Sequence, residues 1–260
     1  MKPRVLDTRL LFLRLLRTLG IEVVCEVGAM DGRDTLRFRQ SLRHAEIIAL
    51  EPNPANFDRI RSAAKLAHAN VELVPAAAAD FDGEAPFHLV PAPPGADQTG
   101  RRGMSSLLQR SDPRFAGSSI TAPVLRLDGL LGARVRNRRL ALWIDSEGMA
   151  LETLKGAAGV ARSLQLLHVE VESQPCIGAS QHLYPEVAAL LREWGFEELA
   201  TSQARNAIQF DAIYVRANLE ARLRMKIAAW LLGLRLHHLC IENMAAWRTR
   251  LRRAAPLRHG

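Results

Sequence analysis

Two groups of residues in this chain have types and spacings suited to chemistry. The first is Glu26, the turn Gly28-Ala29-Met30-Asp31-Gly32, and the acid Glu51. A short apolar run, Val23 to Val27, carries Glu26 and ends in the glycine turn. A helical pattern follows, then a second apolar run, Ile47 to Leu50, ended by Glu51. Glycines let backbone N–H groups approach a ligand closely, and an acid ending the second strand accepts both ribose hydroxyls of a nucleoside. This half of the chain is therefore expected to hold an adenosine-containing cofactor. The second group is Asp145 and Glu147, which follow the run Leu140 to Ile144, with Glu170 in the next apolar run. Acids at the C-terminal ends of parallel strands lie where open α/β sheets bind ligands, and a carboxylate there orients or deprotonates a hydroxyl. The alternative for Asp145 and Ser146 is capping of the helix that follows.

These residues need a sheet to position them. Hydrophobic periodicity places a helix at 7–18, with Leu10, Leu13 and Leu16 or Leu11 and Leu15 on its buried face. It then places strand 22–28, helix 33–42, strand 46–51, helix 54–66 opened by Pro54, and strand 71–76. Gly83 turns into a strand near 85–90, and Pro91 to Gly103, with Arg101 and Arg102, reads as a long loop. Strands near 121–127, 140–145 and 164–171 and helices 149–160 and 184–194 follow, with Gly195 as a helix stop. The runs 196–202 and 207–215 form a closing antiparallel hairpin. Strand–helix alternation of this kind gives right-handed crossovers and a mostly parallel sheet with helices on both faces.

Five blocks occur in order: Glu26-Val27-Gly28-Ala29, Leu50-Glu51-Pro52-Asn53-Pro54, Leu127-Asp128, Ile144-Asp145-Ser146-Glu147-Gly148 and Leu154-Lys155-Gly156-Ala157. Together with Phe210 to Arg216 they resemble the FkbM-type family of S-adenosylmethionine-dependent methyltransferases, from about Ile21 to Arg216. The resemblance implies a class I, Rossmann-like methyltransferase fold with a reversed final strand. It also implies S-adenosylmethionine as cofactor and methylation of a hydroxyl, on a sugar, glycolipid or secondary-metabolite acceptor. Carried over by position, Glu26, Gly28, Ala29, Asp31 and Gly32 contact the methionine part of the cofactor. Glu51 and Pro52 lie at the ribose, and Ala77, Ala78 and Asp80 at the adenine, with Asp80 equally readable as a turn residue before Asp82-Gly83. Asp145, Glu147 and Glu170 become the catalytic acids, Asp145 being the first choice for the base. Three such oxygen donors also suit a divalent cation, but no metal is assigned. His168 reads as a hydrogen-bonded core histidine. Ser105 and Ser106 either close over cofactor or substrate or form a plain turn. Three positions depart from the family pattern: Met30 stands for Asn, Trp143 for Lys and Ala150 for an acid.

Composition narrows the remaining classes. Three scattered cysteines, Cys25, Cys176 and Cys240, form no disulfide framework or zinc site, so a cytoplasmic location is expected. Arg14 and Arg17 interrupt the N-terminal apolar run and argue against a signal peptide. From Ala217 onward nine Lys and Arg face two Glu, so the tail carries +7 of the chain's net +8 and the body is nearly neutral. The expected division is a methyltransferase domain over 1–216, with an N-terminal helix in 1–20, and a basic helical extension over 217–260. The tail stripe of Leu219, Leu223, Ile227, Trp230, Leu231 and Leu234 suits contact with the inner face of a membrane, or a homo-oligomer. An RNA methyltransferase is disfavoured, because the body is neutral and aromatic residues make up only 5% of the chain. A nonenzymatic peripheral membrane or assembly module is the third reading.

Overall fold

The computed structural model describes residues 6–67, 69–91 and 103–233. Its strands are β1 (Val23–Val27), β2 (Glu46–Leu50), β3 (Glu72–Val74), β4 (Ala77–Ala78), β5 (Gly83–His88), β6 (Ser119–Leu125), β7 (Leu140–Ile144), β8 (Leu164–Glu172), β9 (Phe196–Thr201) and β10 (Gln209–Arg216). Seven form the main sheet in the order β3-β2-β1-β7-β8-β10-β9. The pairings from β3 to β8 are parallel, whereas β10 runs antiparallel to both of its neighbours. This is the mostly parallel α/β architecture with a closing antiparallel hairpin.

Residue alternation along the strands explains the two covered faces. Val23, Cys25, Val27, Leu140, Leu142 and Ile144 join one core with Leu127, Leu131, Leu151, Leu154, Val187 and Leu191 from helices Leu127–Leu131, Ala150–Gly156 and Tyr184–Glu193. The opposite face carries Trp143 and His168 beneath Phe12 of helix α1 (Thr8–Thr18) and Phe38 of helix α2 (Arg33–Ser41). Asp7 caps α1 by accepting the Leu10 N–H at 2.8 Å. The buried stripe of α1 is Leu11, Phe12, Leu15 and Leu16, while Leu10 is 41% exposed. The buried face is therefore the Leu11 and Leu15 alternative, with Phe12 packed on Trp143.

A second, three-stranded sheet, β4-β6-β5, was not expected from the sequence. It gathers the strands read near 85–90 and 121–127 into a separate layer. β6 ends at Leu125 because Asp82 accepts the Arg126 N–H at 2.8 Å; Leu127 and Asp128 then open a short helix rather than closing a strand. The helix read over 54–66 is two pieces, Pro54–Ser62 and Ala64–Ala67, parted where Ala63 turns extended. The helix read over 149–160 stops at Gly156, beyond which a 3-10 turn spans Ala158–Val160. A Cβ at Gly156 would stand 2.0 Å from the Ala79 carbonyl oxygen, so glycine permits the helix to lie against that backbone.

Met1–Ala217 forms one compact unit and Asn218–Gly260 a second. Within the second, a helix runs over 221–233. Residues 92–102, most of the expected Pro91–Gly103 loop, and the tail beyond 233, including Leu234 and Cys240, lie outside the described residues.

Candidate active site

Register brings the acids together. One row across the sheet is Leu50, Val27, Ile144 and Val169. The next residue on each strand is therefore Glu51, Gly28, Asp145 and Glu170, all at the C-terminal edge. β1 sends its crossover toward β2 on one side and borders β7 on the other, which opens a crevice at the switch point. A cavity of about 240 Å³ occupies it, lined by Gly28, Met30, Glu51, Pro52, Ala77, Ala78, Asp145, Ser146, Glu147 and Glu170. Its roof comes from the small sheet and the segment before β6: Phe87, Gly103, Met104, Ser105 and Leu107, with Met149.

The β1 turn is shaped by close approach. Gly28 has φ +88°, and a Cβ there would sit 1.9 Å from the Asp145 carbonyl oxygen. Gly28 and Ala29 both donate their N–H to Leu50 O at 3.0 Å. Met30 has φ +48°, in the left-handed region that Asn tolerates better than Met. Its N–H donates to Glu51 Oε2 at 2.6 Å, while Glu51 Oε1 accepts the Asn53 N–H at 2.8 Å. Glu51 thus ties the two loops that flank the cavity. Burial raises its pKa, opposed by those N–H groups.

Five residues expected at the cofactor do not line this cavity. Glu26 is buried at the strand interior, where Thr35 Oγ1 of α2 donates to it, and burial holds its carboxyl well above the usual range. Ala29 packs with Ala49 and Ile60. Asp31 accepts the Arg33 N–H at 3.0 Å and pairs with the Arg33 side chain. Gly32 starts α2 at φ +72°, where a Cβ would meet Leu66 at 2.5 Å; its freedom serves packing. Asp80 also lies away from the cavity: it is exposed, and its carbonyl accepts from Arg126. Asp128, from the third sequence block, pairs with Arg126 at 2.6 Å and accepts the Gly159 N–H.

The other end of the cavity is acidic. Asp145, Glu147 and Glu170 each place an oxygen within 4.8 Å of the others. Burial, then the neighbouring Glu147 and Asp211, pushes Asp145 up to about 7. Burial, then Asp145 and Glu147, holds Glu170 well above the usual carboxylate range. Burial also raises Glu147, opposed by Arg110, whose guanidinium lies 2.7 Å from Glu147 Oε2. That guanidinium supplies a positive charge on the Oε2 side of Glu147.

Helix capping does not explain Asp145 or Ser146: the Ala150–Gly156 helix has Met149 at its N-cap and no side-chain cap. Ser105 Oγ accepts the Val90 N–H at 3.2 Å, and Ser106 Oγ donates to the Glu147 carbonyl at 2.7 Å, fastening the roof to the acid loop. His168 is a core residue without a hydrogen bond. It stacks on Trp143 at 3.5 Å between ring centroids, and neither ring nitrogen finds a hydrogen-bond partner, Asp211 Oδ2 lying 3.8 Å from Nε2. Burial, then Arg9, holds its pKa well below the usual value, so it stays neutral. The sequence reading missed Arg110 and the apolar roof, because Arg110 lies outside any helix or strand and the roof is assembled from several separate segments.

Residues 26–198 match the methyltransferase FkbM domain. No curated protein matches the chain. Among solved structures, the N-terminal domain of EvdMO1 with SAH bound is 15% identical, with 82% of each chain covered and a TM-score of 0.45. An O-methyltransferase from Bacillus cereus in complex with SAH is 14% identical, again with 82% of each chain covered and a TM-score of 0.42. The 1,6-didemethyltoxoflavin-N1-methyltransferase of Burkholderia thailandensis is 16% identical over 81% of this chain and 78% of that one, with a TM-score of 0.41.

Proposed function

The chain belongs to the FkbM family of methyltransferases, and we propose that it takes S-adenosylmethionine as methyl donor and methylates a hydroxyl on a sugar, glycolipid or secondary-metabolite acceptor. The observation that carries this reading is the shared edge: Glu51, Gly28, Asp145 and Glu170 follow one register row and line one cavity.

The residues fit the cofactor. Glu51 keeps lone pairs for ribose hydroxyls at the cavity edge, and Pro52, Ala77 and Ala78 leave a small apolar wall of purine size. The bound cofactor supplies an electrophilic methyl group on a sulfonium. The chain's own task is to hold an acceptor oxygen in line and take its proton. Asp145, raised to about 7, is half ionised near neutrality and suited to accept that proton, with Glu170 beside it. The same negative field would keep an acceptor amine protonated and without a lone pair, which favours oxygen over nitrogen. Phe87, Met104, Leu107 and Met149 shield the reaction from water.

The test is transfer of a labelled methyl group to a panel of glycans, glycolipids, secondary metabolites and RNA, with the product bond identified by mass spectrometry and NMR. An ether methyl on a small acceptor supports the reading. Label on nitrogen or on RNA overturns it.

We further place the enzyme in the cytoplasm, with residues 217–260 as an appended docking element at the inner membrane face. The support is the +7 charge of the tail. No helix among the described residues is long and apolar enough to cross a membrane.

A further inference from the structure

Three carboxylates within 4.8 Å of one another cannot all ionise without compensation. Arg110 supplies it unevenly. Its Nη2 contacts Glu147 Oε2 at 2.7 Å, with side-chain exposures of 6% and 14%. The guanidinium is itself pinned: Nε and Nη2 both donate to Met104 O, at 2.9 and 2.7 Å, and the Phe115 ring centroid lies 5.5 Å from Cζ. Glu147 is equally fixed. It holds φ +47°, and its carbonyl accepts from Ser106. Among the described residues no arginine pairs with Asp145, which instead shares a hydrogen bond with Glu170, and Glu170 also receives the neutral amide of Gln209, at 2.7 Å.

We propose that Arg110 is a positioning residue that keeps Glu147 ionised and out of proton transfer, leaving Asp145 and Glu170 as a carboxyl pair that shares one proton and acts as the base. The assignment deepens the hydroxyl-transfer reading and rests on it for the word base; the charge distribution does not. Other charged groups face this cluster: Glu172 on β8, Asp211 on β10, Asp34 on α2, Glu26 on β1, and Arg9 on α1 through its effect on Asp211. All but Arg9 are acids and Arg9 acts on Asp211, so among the described residues none relieves the Asp145–Glu170 pair as Arg110 relieves Glu147. The pairing also explains how a roof segment can report on the acid loop: Arg110 and Met104 belong to the roof, Glu147 to the turn after β7.

The experiment is a carboxyl-carbon NMR titration of the full chain saturated with S-adenosylhomocysteine, for wild type, Arg110→Met, Arg110→Lys and Glu147→Gln. In the wild type Glu147 should titrate below the Asp145–Glu170 pair, which should show two coupled steps. Arg110→Met should raise the Glu147 midpoint by about one pH unit or more, and Arg110→Lys should retain most of the native value. Glu147→Gln, which deletes a negative neighbour and leaves the arginine in place, should lower the pair's midpoints. A Glu147 midpoint at or above the pair, or no movement of the pair in Glu147→Gln, overturns the proposal. The Glu147→Gln arm decides it even where the arginine variants fail to fold. Once an acceptor is identified, Glu147→Gln should move the acid limb of its pH profile down, whatever its plateau. Loss of turnover at every pH would make Glu147 a base. If the titrations behave as expected but no hydroxyl acceptor is methylated, the charge assignment stands and the hydroxyl reading fails.

Discussion

Replacing Glu51 separates its two roles. In the protein its carboxylate accepts the Met30 N–H at 2.6 Å and the Asn53 N–H at 2.8 Å, one on each oxygen. A glutamine has a single acceptor oxygen, so one of those N–H groups would face an amide NH2 instead. Hydrogen bonds to a charged group contribute about 1.5–3 kcal/mol each. Glu51→Gln should therefore loosen one loop, and Glu51→Ala both. If the carboxylate also accepts ribose hydroxyls, either variant should weaken S-adenosylhomocysteine binding by about 1.5–3 kcal/mol, roughly 10- to 150-fold in Kd. Isothermal titration calorimetry measures that loss, and a thermal melt of the ligand-free chain measures the loop contribution. A lowered Tm with Kd unchanged to within about twofold would show that Glu51 only latches the loops, and would refute the ribose assignment.

Asp145→Asn should leave S-adenosylhomocysteine affinity within a few-fold, yet lower methyl transfer about a hundredfold or more; equal turnover would remove Asp145 from the chemistry. The same variant should change the pH dependence of stability. The folded carboxyl is raised to about 7, so the native state holds a proton that the unfolded chain releases from about pH 4 upward, and stability is lost as pH rises through that window. Asparagine should therefore raise Tm above pH 7 and give little gain near pH 4; a uniform gain across pH would contradict the burial argument. Gly28→Ala should lower Tm sharply and abolish cofactor binding, because its Cβ has no room and φ is positive, whereas Gly129→Ala, with open space around it, should be near neutral. A chain ending at Asn218 should stay folded and bind cofactor, while its salt-sensitive binding to anionic vesicles falls; sedimentation and vesicle flotation read both outcomes. An insoluble truncated chain would place the tail within the fold.

Much of the sheet was legible because its strands are short apolar runs ended by glycine or an acid. Val27-Gly28, Leu50-Glu51 and Ile144-Asp145 mark strand ends in sequence, and parallel register then turns equal strand ends into one edge. The placement of Glu26 was not legible in this way. It lies within a strand, and period-two alternation gives it a face without saying that α2 covers that face with Thr35. Asp31 and Asp80 are turn residues, and short-range turn chemistry is indistinguishable from ligand contact in a bare sequence. The roof escaped detection for a further reason. It depends on pairing β5 with β6, across a long irregular segment, in a second sheet whose existence no local pattern announces.

The shared register row has an evolutionary consequence. Because successive side chains on a strand alternate between faces, a one-residue deletion inside β7 would turn Asp145 away from the cavity and set Trp143 on the wrong side of the sheet. Strand lengths between β2 and β8 are therefore locked to one another, and no single insertion or deletion in them is neutral. The segment between β5 and β6 is locked in another way, at Ser106, which bridges His88 and donates to the Glu147 carbonyl, and at Arg110, which pairs with the Glu147 carboxylate. Change in that roof is tolerated where it keeps Ser106 and Arg110 on Glu147, so a roof can diverge around two fixed points rather than freely.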